Sequence, residues 1–431
     1  MRRTREAAAR RVPGQPSPLD GYPGTRMART LPRIRADLDF MPSPLPERPG
    51  LLIRDPYHYS DATLIIPPPL VECLPHFDGQ TSELDLRAHL VRLTGDLRVG
   101  ELGRHLIDTL SQAGFLEDEA YYRLREQRRR EFAEAPSRQA AHAGTAYPDE
   151  ADPLRATLDR YLEDSAAWSA PDGLLGIAAP HVSPEGGWQT YRAAYHGIHP
   201  GYRDRVFVIL GTSHYGAPDR FGLTRKPFVT PFGEARTELA LVDRLAGRAP
   251  DSVEMEDYCH STEHSIEFQV VFLQHLLGPE VRILPILVGS FARSVYQGGK
   301  PEDQEQVRRF LGELGELAAD CGDRLFWVLG IDMAHMGRRY GDPFAAMADE
   351  GVMAEVAERD RGRIARIQDG DADGFWELVR ENHDDLKWCG SAPLYTFLRA
   401  LPQARSRLRH YEQWNIDPQS VVSFAALSFS A

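Results

Sequence analysis

The chain has 431 residues, 42% hydrophobic and 26% charged, with 63 acidic against 50 basic side chains and a formal net charge of -13. That length exceeds one ordinary core and predicts two domains, and the composition is that of a soluble globular protein. The acidic balance argues against general nucleic-acid binding, which needs clustered Lys and Arg; no apolar run approaches the roughly 18 residues that span a bilayer, so neither kind of partner is expected.

Residues 1–45 are expected to be a disordered tail and linker. The first thirty are rich in Arg, Ala, Pro and Gly and lack the apolar core of a signal peptide; an Arg-rich transit peptide is the alternative. Met41–Gly50 (MPSPLPERPG) is Pro-rich and reads as a lead-in. Residues 46–118 predict a small, mostly helical domain. A short strand pair falls around Asp61–Pro67, a helix over Leu70–Phe77, and further helices over 83–93 and 99–114. Both of the last two show apolar residues at helical spacing, and Gly114 closes the second. The charge-rich stretch 119–140 predicts a solvated connecting helix.

From residue 141 to 431 the rhythm alternates. Buried-strand runs fall at Leu174–Ala179, Arg205–Gly211, Val281–Val288 and Leu325–Ile331. Amphipathic stretches follow at Trp188–Ile198, Arg236–Leu245, Glu263–Leu277 and Glu302–Ala319. Helices over Pro343–Gln368, Asp373–Asn382 and Ser391–Ala400 precede two closing strands, Arg407–Trp414 and Ser420–Phe429. The pattern predicts an α/β fold, a three-layer sandwich around a central mixed or parallel sheet. Cys73, Cys259, Cys321 and Cys389 are scattered with no CxxC pair, which favours a reducing cytoplasm over a disulfide framework.

Ligands in such folds sit beyond the carboxyl ends of the strands. One predicted strand is followed at once by His181, another by His214, and a third by Asp332 and His335. A lone histidine is normally a structural residue; three strands delivering such groups to one sheet edge point to a site. The segment Thr262-Glu263-His264-Ser265-Ile266-Glu267 opens a helix, with Thr262 as the expected N-cap and both glutamates near the positive end of its dipole. That place near the dipole is by itself a sufficient structural account of Glu263. His264 and Glu267, three apart on one face, suit an acid–base pair. Cys389 lies just before a helix, a setting that favours the thiolate. No GxSxG or HExxH pattern supports a hydrolase.

Six segments occur in order: His142-Ala-Gly, Ala179-Pro180-His181, Leu210-Gly-Thr-Ser-His214, Glu263 to Glu267, Asp332-Met-Ala-His335 and Cys389-Gly390. Together they resemble the Memo family, also called AmmeMemoRadiSam system protein B. The resemblance implies a fold similar to that of class III extradiol dioxygenases and a metal held by His181, His214 and Cys389. It places His335, His264, Asp332 and Glu267 as catalytic groups, with His142 and Glu263 in the cleft. Two imidazoles and one anionic ligand suit Fe(II), and the soft thiolate admits Cu or Zn. The chain departs from the family where Val182-Ser183-Pro184-Glu185 follows His181, making Glu185 an extra candidate acid, and where Gly330 and Ile331 precede Asp332.

The expected function is an iron-dependent oxidoreductase acting on a small-molecule, phenolic or peptide substrate. The alternative is metal or redox handling, or peptide binding, without turnover. The N-terminal part loosely resembles PqqD-like modules and winged helices. That resemblance implies capture of a leader peptide by strand addition, with a peptide precursor or a radical enzyme as partner.

Overall fold

The computed structural model describes residues 29–163 and 173–431, and the chain divides into two units, Met1–Arg125 and Glu126–Ala431. The tail expectation for residues 1–28 lies outside the described residues.

In the first unit, β1 (Asp39–Pro42), β2 (Leu51–Arg54) and β3 (Thr63–Ile66) form an antiparallel sheet in that order. Helices α1 (Pro68–Val71), α2 (Glu83–Thr94) and α3 (Gly100–Gln112) follow. A reciprocal capping box of Ser82 and Asp85 starts α2, and Gly114, at φ +70°, turns the chain after α3. Ile53, Phe77, Leu86, Leu90 and Leu110 build the core.

Two expectations need correction here. Residues 29–45 are not wholly tail and linker: they supply β1, buried Leu31 and Leu38, and Arg35, which is paired with buried Asp55. Pro42 ends β1 on the edge of the sheet, where its missing N–H removes no inner ladder bond. The expected Leu70–Phe77 helix is α1 plus a separate 3-10 turn at Leu74–His76, because Pro75 cannot donate to a continuing α ladder.

Helix α4 (Glu119–Glu134) runs through the division between the units. In the second unit α5 (Ala151–Leu162), β4 (Leu174–Ala179), α6 (Pro184–Tyr195) and β5 (Val206–Thr212) come first. Short strands β6 (Phe221–Leu223), β7 (Phe228–Thr230) and β8 (Gly233–Thr237) lead to α7 (Leu239–Arg248) and β9 (Val253–Met255). Then come α8 (His264–Leu277), β10 (Arg282–Val288), α9 (Ala292–Gln297), α10 (Glu305–Cys321), β11 (Leu325–Gly330) and β12 (His335–Gly337). Helices α11 (Val352–Gln368), α12 (Ala372–Arg380) and α13 (Ser391–Ala400) precede the hairpin of β13 (Arg405–Asp417) and β14 (Ser420–Ser430).

Strands β4, β11, β5 and β10 lie side by side and parallel, while β14 joins β4 and β6 joins β10 antiparallel. The sheet is therefore mixed around a parallel centre. Alternate residues point to opposite faces. Val206, Val208 and Leu210 of β5 enter one core with α7 and with α10 to α13, and Phe207 and Ile209 enter another with α5, α6 and α8. This is the expected three-layer sandwich. Among the described residues no helix is long and apolar enough to cross a membrane, and all four cysteines are free.

Candidate metal centre

The parallel strands place their next residues at one sheet edge. β4 delivers His181, β5 delivers His214, and β11 delivers Asp332. The first turn of α8 lies against the same edge. A Cβ on Gly330 would run into the Ser265 carbonyl oxygen, and one on Gly211 would come 2.6 Å from Ser265 Oγ. Glycine at both strand ends is what lets this helix approach. The loop before α13 closes the site: Gly390 N donates to the Asp332 carbonyl at 3.0 Å, and a Cβ there would lie 2.6 Å from Ile331 Cβ.

One ligand atom each from His181, His214 and Cys389 lies within 4.8 Å of the others. His181 Nε2 is 3.2 Å from Cys389 Sγ, and its Nδ1 is 3.0 Å from the Gly330 carbonyl. A carbonyl only accepts, so Nδ1 carries a proton there and Nε2 is the nitrogen turned to the sulfur. His214 Nδ1 is likewise engaged, 3.0 Å from Glu263 Oε1. Metal-binding histidines are commonly oriented in this way, through the ring nitrogen that does not bind. Burial raises the Cys389 thiol, but the His181 and His214 rings outweigh it and bring it down to about 7. The donor set fits a divalent transition ion.

His214, Glu263 and His264 form a second close group, but Glu263 is already engaged. Its carboxylate accepts from His214 N, His214 Nδ1, His264 N and Ser265 N. Burial opposes its ionisation; the His214 charge and these bonds hold it well below the usual carboxylate range. His214 is correspondingly raised, against its own burial. Glu263, and not Thr262 as expected, is the N-cap of α8; it orients His214 at the same time.

Asp332 is buried, accepts from His181 N at 2.9 Å, and lies 3.5 Å from His181 Nε2. Burial pushes it up to about 6, against the pull of His335. The Nδ1 of His335 faces the Met333 and Lys387 carbonyls at 2.9 and 3.1 Å; burial lowers this histidine, with Asp332 opposing. His264 stacks on His214 with ring centres 4.9 Å apart and meets His181 edge-on at 5.1 Å. Burial lowers it well below the ordinary histidine value. His142 packs against His264 at 5.6 Å and is fixed through Nε2 to the Thr262 carbonyl.

Two expected site residues are elsewhere. Glu185 is exposed in the first turn of α6. Glu267 is fully buried and pairs with Arg138 and Tyr147, while accepting from Ala141 N and His142 N. It is a structural ion-pair partner and does not face the cleft. The stretch expected as a solvated connector supplies that missed partner: Arg138 is buried and also donates to the His260 and Glu263 carbonyls at 2.8 Å. Nothing in its spacing distinguished it from its charged neighbours.

A cavity of about 420 Å³ adjoins His214 and Cys389, with Phe291, Trp376 and Trp388 in its wall. Ser213 also lines it, and its buried hydroxyl has no hydrogen-bond partner among the described residues.

His260 lies beneath the site, its Nε2 3.1 Å from the Gly222 carbonyl. Burial lowers it to about 4, with Arg138 adding to the effect and Glu263 opposing. The unfolded chain protonates first, below the ordinary value of about 6.5, so this contribution is present above that pH and lost as pH falls toward about 4. We expect roughly 3 kcal/mol to disappear over that window. Urea unfolding of the parent and His260→Gln at pH 7.5 and 4.5 checks it: the parent should lose more stability than the variant. Equal losses would show that His260 does not titrate in this way.

A Memo-like protein family model matches residues 138–428. A MEMO1 family protein of Aquifex aeolicus is 25% identical, covering 88% of this chain and 95% of that protein. The Thermococcus kodakarensis protein TK1477, also of the MEMO1 family, is 29% identical over 68% of this chain and 99% of its own length. A Pyrococcus furiosus member, PF1638, is 31% identical over 57% of this chain and 82% of its own. The chain belongs to the Memo-like family.

Proposed function

We propose that the second unit is a metal-dependent oxidoreductase, with Fe(II) held by His181, His214 and Cys389 and dioxygen as oxidant. The observation that carries this reading is the mutual approach of these three donors within 4.8 Å, each imidazole already oriented through its other nitrogen. Two histidines and one anion leave positions open for substrate and oxidant, as in Fe(II) oxygenase sites. Copper and zinc are the competing ions, because the thiolate is soft. When bound, the ion would supply Lewis acidity and one-electron redox chemistry.

The surrounding residues support proton handling. Asp332, raised to about 6, exchanges a proton near neutrality, the range in which general acid–base groups work best. His335 and His264, both lowered, are neutral there and available as acceptors. The cavity beside Cys389 has a volume, about 420 Å³, within the usual range for small-molecule sites. It would take a small phenol or one side chain of a peptide.

The test is metal analysis by mass spectrometry on protein purified without oxygen, alongside Cys389→Ala and His181→Ala. Near-stoichiometric iron in the parent and its loss from both variants are expected. A parent that holds no metal and takes none up on reconstitution would end the reading. Iron bound without oxygen uptake on any phenol or peptide would leave metal handling as the function.

A further inference from the structure

We infer that Asp360, which lies outside the donor set, is a positioning residue: its buried carboxylate fixes the Cys389 loop relative to the Asp332–His335 segment. The inference rests on the metal-centre reading for its consequence, but the geometry stands by itself.

Asp360 projects from α11 and is fully buried. It accepts from three neutral donors on three elements: Trp388 Nε1 at 2.7 Å, Tyr411 OH at 2.7 Å and Ser423 Oγ at 2.6 Å. Burying a carboxylate is costly unless its acceptors are filled, so the arrangement is tightly specified. Trp388 is the residue before Cys389. Ser423 reaches the other side of the site: its N donates to the Ala334 carbonyl at 2.9 Å, its carbonyl accepts from Met333 N at 2.8 Å, and its Oγ accepts from Ala334 N at 2.9 Å. Residues 333 and 334 are the whole span between Asp332 and His335. One carboxylate thus ties the segment carrying the sulfur to the segment carrying the acid–base groups.

The sulfur-bearing loop needs such a tie. Asn382, His383, Asp384 and Lys387 all have φ between 53° and 55°, a left-handed conformation that costs non-glycine residues of order 1 kcal/mol each. Arg363, three residues after Asp360 and so on the same face of α11, pairs with Asp384 at 2.8 Å and sits 5.1 Å over the Trp388 ring. Helix α11 therefore grips the strained loop at two points next to Cys389. Asparagine at 360 can keep Trp388 on its carbonyl only by turning its NH2 to the Tyr411 and Ser423 hydroxyls, which already accept from Gln413 Nε2 and Ala334 N. Both hydroxyls must then reverse from donating to accepting a second bond, and the charge-assisted bonds to all three donors are lost.

The test uses the full chain as Asp360→Asn, Trp388→Phe and Ser423→Ala, each checked for folding by circular dichroism. Two readouts are taken: Co(II) affinity with its thiolate charge-transfer band, and the iodoacetamide reaction rate of Cys389 in metal-free protein. The other cysteines are buried. All three variants should weaken Co(II) binding by about 10- to 100-fold, the usual effect of losing a residue that orients a ligand. Asp360→Asn and Trp388→Phe should also shift the band and slow alkylation severalfold, as the sulfur leaves His181. Ser423→Ala, which removes one of the three bonds to the other segment and leaves Trp388 on Asp360, should keep the parental alkylation rate.

Folded Asp360→Asn and Trp388→Phe with parental affinity, band and alkylation rate would overturn the inference. If Asp360→Asn does not fold, Trp388→Phe and Ser423→Ala decide it. If the parent binds no Co(II), the metal reading fails and alkylation alone decides: slowing confined to the Asp360 and Trp388 variants supports positioning, and unchanged rates refute it.

Discussion

Arg138→Met is expected to destabilise the second unit by roughly 3–5 kcal/mol, the effect of stranding one charge of a buried pair. Arg138 and Glu267 are both fully buried and directly paired, and Glu267 is held ionised by Arg138 against the cost of its burial. Removing the guanidinium leaves the carboxylate with Tyr147 OH and two backbone N–H groups as its remaining partners. The double variant Arg138→Met, Glu267→Leu should recover most of the loss, because an apolar pair of similar volume removes the stranded charge. Urea midpoints for the parent, the single and the double variant give the comparison. A single variant within about 1 kcal/mol of the parent would show that water reaches Glu267 and rescues it.

Glu263→Ala should be the most damaging change to metal binding outside the three proposed ligands, weakening affinity about 10- to 100-fold. It removes the acceptor of His214 Nδ1 and frees the ring to turn. It also removes the cap from two N–H groups at the start of α8, a loss of about 1 kcal/mol or more. Glu263→Gln retains one acceptor oxygen and should fall between the two. Competition with a chelator of known affinity measures both. Parental affinity in Glu263→Ala would mean that packing against His264 is enough to orient His214.

Much of this was legible from local pattern. The apolar runs gave β4 and α13 with their observed bounds, and β5, β10 and β11 to within a residue. The rule about strand ends then singled out His181, His214 and Asp332. Three-residue strands β6, β7 and β9 carry too little periodicity to be read. The expected helix from Pro343 begins only at Val352, since residues 346 and 348 donate instead to Gln419 and Asn415, far along the chain. Thr262 is a favoured cap by type and glutamate is not; the cap falls to Glu263 because His214 arrives from another strand to share its carboxylate. Helical spacing puts Glu267 near the face of His264, but its role is decided by Arg138, which no local pattern in α8 reveals. Asp360 was silent for the same reason: its partners come from three other elements.

Strand β14 lies between β4 and β12 in the sheet, and Ser423 within it pins residues 333 and 334. During vectorial synthesis, a nascent chain that has emerged only as far as α13 already carries His181, His214 and Cys389, yet β4 and β12 have no strand between them. On the proposed metal reading, stable loading would wait for β14, because the Met333–Ala334 segment beside the donors is pinned only once Ser423 has emerged.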